Sequence, residues 1–177
     1  MSAIPPMRIT AVVIVVAFTG SSASAHITLE KREAAIGTPY KAVFVVPHGC
    51  AGSATVKIRV QIPEGVVAVK PMPKAGWNLE VVKGKYSSEY DIHGAKLSEG
   101  VKEVVWSGGQ LLDRNYDEFV LIGFLTDTLK PNTMLYFPTV QECEQGVSRW
   151  IDIPAEGSAG HAHDKSPSPG VKLMPKH

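Results

Sequence analysis

Apolar and polar residues alternate along much of the chain with a period of two. Val56, Ile58, Val60 and Ile62 are apolar, and Lys57, Arg59 and Gln61 between them are polar. A strand with one buried face carries this pattern, because successive side chains leave it on opposite sides. Pro63-Glu64-Gly65 ends the run. Tyr40 to Val46 is a second β-branched and aromatic run, closed by Pro47-His48-Gly49. Val66 to Val69 predicts a short strand ahead of Pro71, Pro73 and Gly76. Trp77, Leu79 and Val81 alternate again, and Val101 to Trp106 leads into Ser107-Gly108-Gly109, which reads as a turn. Phe119 to Leu125 is largely apolar, as a central strand covered on both faces would be. Thr133 to Val140 and Val147 to Ile153 complete the predicted strands. No segment carries a sustained helical period with start and stop signals. Short strands punctuated by Gly and Pro predict an all-β fold, an antiparallel β-sandwich.

Both ends depart from this pattern. Arg8 is the only charged side chain before His26, Ile9 to Phe18 is apolar, and the small-residue stretch after it closes on Ala23-Ser24-Ala25. These are the marks of a secretory signal peptide cleaved after Ala25. Its apolar core of about ten residues falls short of the ~20 that span a membrane. From Ala155 to His177 the chain is rich in Gly, Ser, Pro and His. The expectation there is a mobile tail with local order near Val171 to Met174. The predicted organisation is a signal peptide over 1–25, a β-domain over 26–154 and a tail over 155–177.

Composition narrows the partners. Removing 25 of 177 residues leaves 152, enough for one domain with its own core. Only Arg8 leaves with the leader, so the 18 Lys+Arg become 17, against 17 Asp+Glu. A balanced charge argues against nucleic acid or an anionic membrane as the main partner. No later stretch is long and apolar enough to span a membrane. Two cysteines in an exported protein read as a disulfide, Cys50 to Cys143, with a thiolate metal site as the alternative. The disulfide would enclose 143 − 50 − 1 = 92 residues. Chain entropy puts its contribution at about 4–5 kcal/mol. The mature protein is expected to be periplasmic or secreted.

Cleavage after Ala25 would give His26 a free α-amine beside its imidazole. The amine has a pKa of about 7.7–8.0 and the imidazole about 6.5, so both yield protons to a metal near neutral pH. Amine nitrogen and imidazole Nδ1 of one residue close a chelate ring. Two nitrogens favour Cu(II) over the oxygen-seeking Mg and Ca, and copper heads the divalent affinity order. His48 and His93 sit in turn-like stretches, and a second imidazole in the site would change its class. Glu118 and Asp117 flank an apolar strand and suit either a metal or a buried hydrogen bond. Trp77 and Trp106 read as packing residues. His161, His163 and His177 offer a loose capture site in the tail. Hydrolase and nucleotide motifs are missing: there is no G-x-S-x-G, H-E-x-x-H, C-x-x-C or Gly-rich phosphate loop.

Several separated motifs resemble the YcnI-like copper-binding proteins in the same order. They are His26-Ile27-Thr28-Leu29 followed by Glu33, Val46-Pro47-His48-Gly49-Cys50, and Val60-Gln61-Ile62-Pro63-Glu64-Gly65-Val66. Lys70-Pro71-Met72-Pro73 with Gly76-Trp77, Trp106-Ser107-Gly108-Gly109 and Tyr116-Asp117-Glu118-Phe119 continue the match, which runs from about His26 to Ile153. The resemblance implies a cupredoxin-like or immunoglobulin-like β-sandwich holding Cu(II) in a mono-histidine brace. It implies that His26 supplies amine and imidazole, that Glu33 closes the site, and that Trp150, taken as lying in the last strand, stands beside the metal. Glu33 lies seven residues beyond His26, an odd spacing that puts them on opposite faces of one straight strand. A bend between them is therefore expected, with Glu30-Lys31-Arg32 supplying it. The implied role is copper storage or delivery, as a binding module rather than an enzyme, with copper importers or copper-site assembly factors as partners. Two other readings stand beside it: a copper oxidase or oxygenase with a second histidine ligand, and a metal-free adhesion or assembly sandwich.

Overall fold

The alternation builds two facing sheets in a computed structural model that describes residues 26–154 and 166–176. The first sheet contains β1 (Thr28–Leu29), β3 (Thr38–Val46), β8 (Asp117–Leu125) and β5 (Val66–Pro71), in that order. The second runs β11 (Val147–Trp150), β10 (Thr139–Cys143), β4 (Thr55–Gln61), β7 (Ala95–Leu111) and β6 (Asn78–Ile92). A small third sheet orders β2 (Glu33–Ala35), β12 (Gly170–Met174) and β9 (Met134–Tyr136). The pairings are antiparallel except β12 with β2, which is parallel. The fold is thus the expected all-β sandwich, and there is no helix among the described residues.

The inward positions of the alternation meet in one core. Ile58 and Val60 from β4, Val104 and Trp106 from β7, and Phe44, Phe119 and Leu121 from the opposite sheet are all buried in it. Trp106 is fully buried, and its indole N–H donates to the Met72 carbonyl at 3.1 Å, so no polar atom is stranded. The predicted disulfide is present between Cys50, after β3, and Cys143, at the end of β10.

Four expectations change. Ser107-Gly108-Gly109 is not a turn but part of β7. Gly108 takes φ +78° within the strand, and the Trp77 indole lies so close over Gly109 that a Cβ there would collide with the ring. The glycines make room rather than reverse the chain. Thr133 to Val140 is not one strand: it breaks at Phe137-Pro138 into β9 and β10, which belong to different sheets. β8 is central in its sheet, yet only one of its faces is closed, since Ile122 on the other is exposed. The domain does not stop at 154 either. β12 meets the local order expected near Val171 to Met174 and goes further, because Val171 and Leu173 are buried in the core and this part of the predicted tail completes the third sheet. The signal peptide, the His161 and His163 pair and His177 lie outside the described residues.

The β6–β7 hairpin extends well past the alternating part of its sequence. His93-Gly94 turns it with φ of +52° and +83°, and the Gly94 amide donates to Asp91 at 2.8 Å. Two consecutive positive φ values are what a tight hairpin of right-twisted strands needs. A polar knot around Glu64 secures its middle. The carboxylate accepts from Lys102 Nζ at 2.8 Å, the Tyr90 hydroxyl at 2.7 Å and the Ser87 amide at 3.0 Å. Burial works against ionisation, but these donors outweigh it and hold the carboxyl at about 2, below its ordinary 4.5. A lowered folded pKa adds stability that is complete above the unfolded value and is lost as pH falls through the folded one. Glu64→Gln should therefore melt below the wild type at neutral pH. The gap should close between about pH 4.5 and about pH 2. A gap that stayed constant across that window in thermal melts would remove Glu64 as the source.

Candidate metal centre

His26 is placed by its neighbours. Ile27 and Leu29 are both buried, and Thr28 and Leu29 pair with Val45 and Phe44 of β3. The chain then bends, and Glu33 enters β2 in a different sheet. The bend expected between His26 and Glu33 is thus a switch of sheets. It overrides the odd spacing, because His26 and Glu33 now line one hollow of about 520 Å³.

Trp150 is not among the residues lining this hollow, but it braces the histidine that is. The imidazole meets the indole edge to face, with ring centres 5.2 Å apart and planes at 87°. The indole N–H is engaged elsewhere, donating to Gln141 Oε1 at 3.1 Å. An indole nitrogen is a donor only, so Trp150 can shield or orient but offers no lone pair. Its strand, β11, is followed by β12, so Trp150 does not lie in the last strand.

Gln141 is a residue the sequence did not single out. It is buried, and its amide also donates to Thr55 Oγ1 at 2.8 Å and to the His48 carbonyl at 2.7 Å. This network fixes the plane of the indole and hence the ring it touches. The only hint was the inward alternation of Thr139, Gln141 and Cys143, which predicts burial but no partner.

The far wall comes from the returning chain. Asp152 exchanges backbone hydrogen bonds with Ser166 and Ser168 at 3.0 and 2.9 Å, which brings Pro167, Ser168 and Pro169 to the hollow. Among the described residues the buried Ser168 Oγ has no hydrogen-bond partner. Buried polar atoms are almost always satisfied, so an orphan beside a hollow marks a place for a polar guest or water. Two cations also face the space, Arg32 and Lys172, and Lys172 Nζ lies 3.9 Å from Glu33 Oε1. One member of that pair is close to half exposed and the other more than half, so it is worth little.

The remaining candidates lie elsewhere. His48 Nδ1 is 2.6 Å from the Gly49 carbonyl and 3.9 Å from Asp113, in the disulfide loop. His93 sits in the hairpin turn with its ring 6.0 Å from that of Phe124. Asp117 pairs with Lys74 at 2.6 Å, and Glu118 is exposed on β8 with its carbonyl accepting from the same ammonium. Among the described residues no three His, Cys, Asp or Glu side chains cluster as a metal site. Among the described residues lining the hollow, the side-chain donors of that kind are His26 and Glu33.

The comparisons agree with this architecture. An uncharacterized protein from Nocardia farcinica, whose crystal structure reveals an immunoglobulin-like fold, superposes with a TM-score of 0.62. It shares 21% identity, and the match covers 84% of this chain and 98% of that one. At that identity the likeness shows the fold. A comparison with curated proteins finds no match. The family model described as "Domain of unknown function (DUF1775)" matches residues 26–173, beginning on His26 and reaching into β12. Over nearly the whole of its β-sandwich, the chain belongs to the DUF1775 family.

Proposed function

We propose that the protein is an exported Cu(II) carrier that stores or delivers copper, with His26 as the new N-terminus. The observation that carries this reading is the hollow shared by His26 and Glu33, with the imidazole braced on Trp150. One imidazole and one carboxylate hold a transition metal poorly. The α-amine released by cleavage after Ala25 would add the missing nitrogen without needing another side chain. Amine, imidazole and carboxylate form a set suited to Cu(II). The orphan Ser168 hydroxyl adds a polar wall to the hollow. The YcnI-like motifs and the signal-like leader point the same way, toward the periplasm or exterior, with a copper importer or copper-site assembly factor as recipient.

Oxidase or oxygenase chemistry on a full histidine brace would require a second imidazole, and His48 and His93 lie away from the hollow. Electron paramagnetic resonance of the Cu(II)-loaded protein starting at His26 should show two nitrogen donors with oxygen completing the set. Glu33→Gln should weaken Cu(II) about tenfold, the smaller end of what loss of a supporting group costs a metal site. Three nitrogen donors would favour the enzyme. A protein that takes up no copper would return the fold to a metal-free role.

A further inference from the structure

We infer that the same hollow also binds Cu(I), with the Met134 thioether as the soft donor opposite His26. This rests on the Cu(II) reading for the identity of the metal, but its residue and its readout are separate. Met134 lines the hollow together with His26 and Glu33. Register explains why. Glu33 of β2 pairs with Lys172 of β12, and Lys172 pairs with Met134 of β9. Directly opposed residues project from the same face of a sheet. The third sheet therefore presents a row of carboxylate, ammonium and thioether to one space.

Gly170 shapes the approach. A Cβ there would lie 2.9 Å from Met134 Cε, so that the thioether end would have to shift, and 3.0 Å from the Tyr136 ring, a tight contact. Its φ is not positive, so the glycine is there for space rather than for backbone conformation. It lets the Met134 side chain lie across the start of β12, the end from which Pro169 and Ser168 continue along the hollow. Met134 is 45% exposed, so it does little for the core. An exposed thioether lining the same hollow as an imidazole is a coordination resource.

Chemistry divides the donors by oxidation state. Thioethers and other soft ligands select Cu(I), imidazole accepts either state, and carboxylate prefers harder ions. Cu(I) would sit between the His26 imidazole and the Met134 sulfur. Cu(II) would sit on the amine, imidazole and Glu33. A carrier with both sets in one hollow can keep its cargo whichever state the donor or recipient handles.

The test uses protein beginning at His26, titrated anaerobically with Cu(I) against bicinchoninate and separately with Cu(II). Met134→Leu conserves volume at an exposed site, so the fold should survive. It should weaken Cu(I) at least tenfold and leave Cu(II) within about twofold. Met72→Leu, on the other sheet, should change neither. Unaltered Cu(I) affinity in Met134→Leu, or no Cu(I) uptake by a protein that binds Cu(II), overturns the inference. Cu(I) binding that depends on Met134 in a protein lacking Cu(II) affinity would uphold it and sink the Cu(II) reading instead. If neither ion binds, both fall.

Discussion

Protein that keeps residues 21–25 ahead of His26 is expected to bind Cu(II) on the order of 10²-fold more weakly than protein that begins at His26. The extension leaves the imidazole, Glu33 and Trp150 in place and removes only the amine from the hollow. A loss of that size equals about 2.8 kcal/mol, at 1.4 kcal/mol per tenfold. Five residues are retained rather than one or two for a chemical reason. A short remnant would put a new amine and one or two amides next to His26, and these could form a different tight chelate. His26→Ala in the shortened protein should lose at least as much, because the imidazole goes while the amine stays. Competitive titration against a chromophoric chelator measures both. Equal affinity of the long and short forms would mean that the amine is not a ligand.

Replacing both cysteines, Cys50→Ala with Cys143→Ala, is expected to cost about 4–5 kcal/mol in urea unfolding. The bridge spans a sequence separation of 93 and joins the loop after β3 to the end of β10, with both cysteines buried. Without it the unfolded chain regains the freedom of that large loop, which is the main origin of the loss in the chain-entropy account. In a domain of this size each kcal/mol shifts the midpoint by about 2–4 °C, so melting should fall by about 8–20 °C. The effect should reach the hollow. Cys143 and Gln141 face inward on the same strand, and Gln141 fixes the Trp150 indole. Tryptophan fluorescence near Trp150 should therefore change in the native variant. A cost under about 1 kcal/mol would mean that the unfolded state remains compact without the bridge.

The sandwich was legible because burial on one face imposes a two-residue period, which β4 carries openly, and because β3, β5 and β8 are short apolar or β-branched runs closed by turn residues. His26 stood out because a stretch resembling a secretory signal ends directly before it, a pattern that needs no tertiary information. The middle of the β6–β7 hairpin was hidden. Its residues 83–100 are mostly exposed and polar, and they are held by cross-strand pairing and the Glu64 knot rather than by burial. The Gly108-Gly109 pair misled because glycine signals either a turn or a close approach, and only the position of Trp77 decides between them.

The sequence by itself determined the strand pattern, the likeness to an exported copper-binding family and the residue on which a site would be built. Tertiary structure alone decided what surrounds that residue. β12 comes back from beyond residue 165 to pair with β2 and β9, and this brings Lys172 and Met134 into line with Glu33. A strand of five residues with two buried side chains carries too weak a pattern to reveal its partners. Periodicity records which face of a strand is dry. It says nothing of which strand lies alongside, because pairing partners are chosen by contacts between residues far apart in the chain.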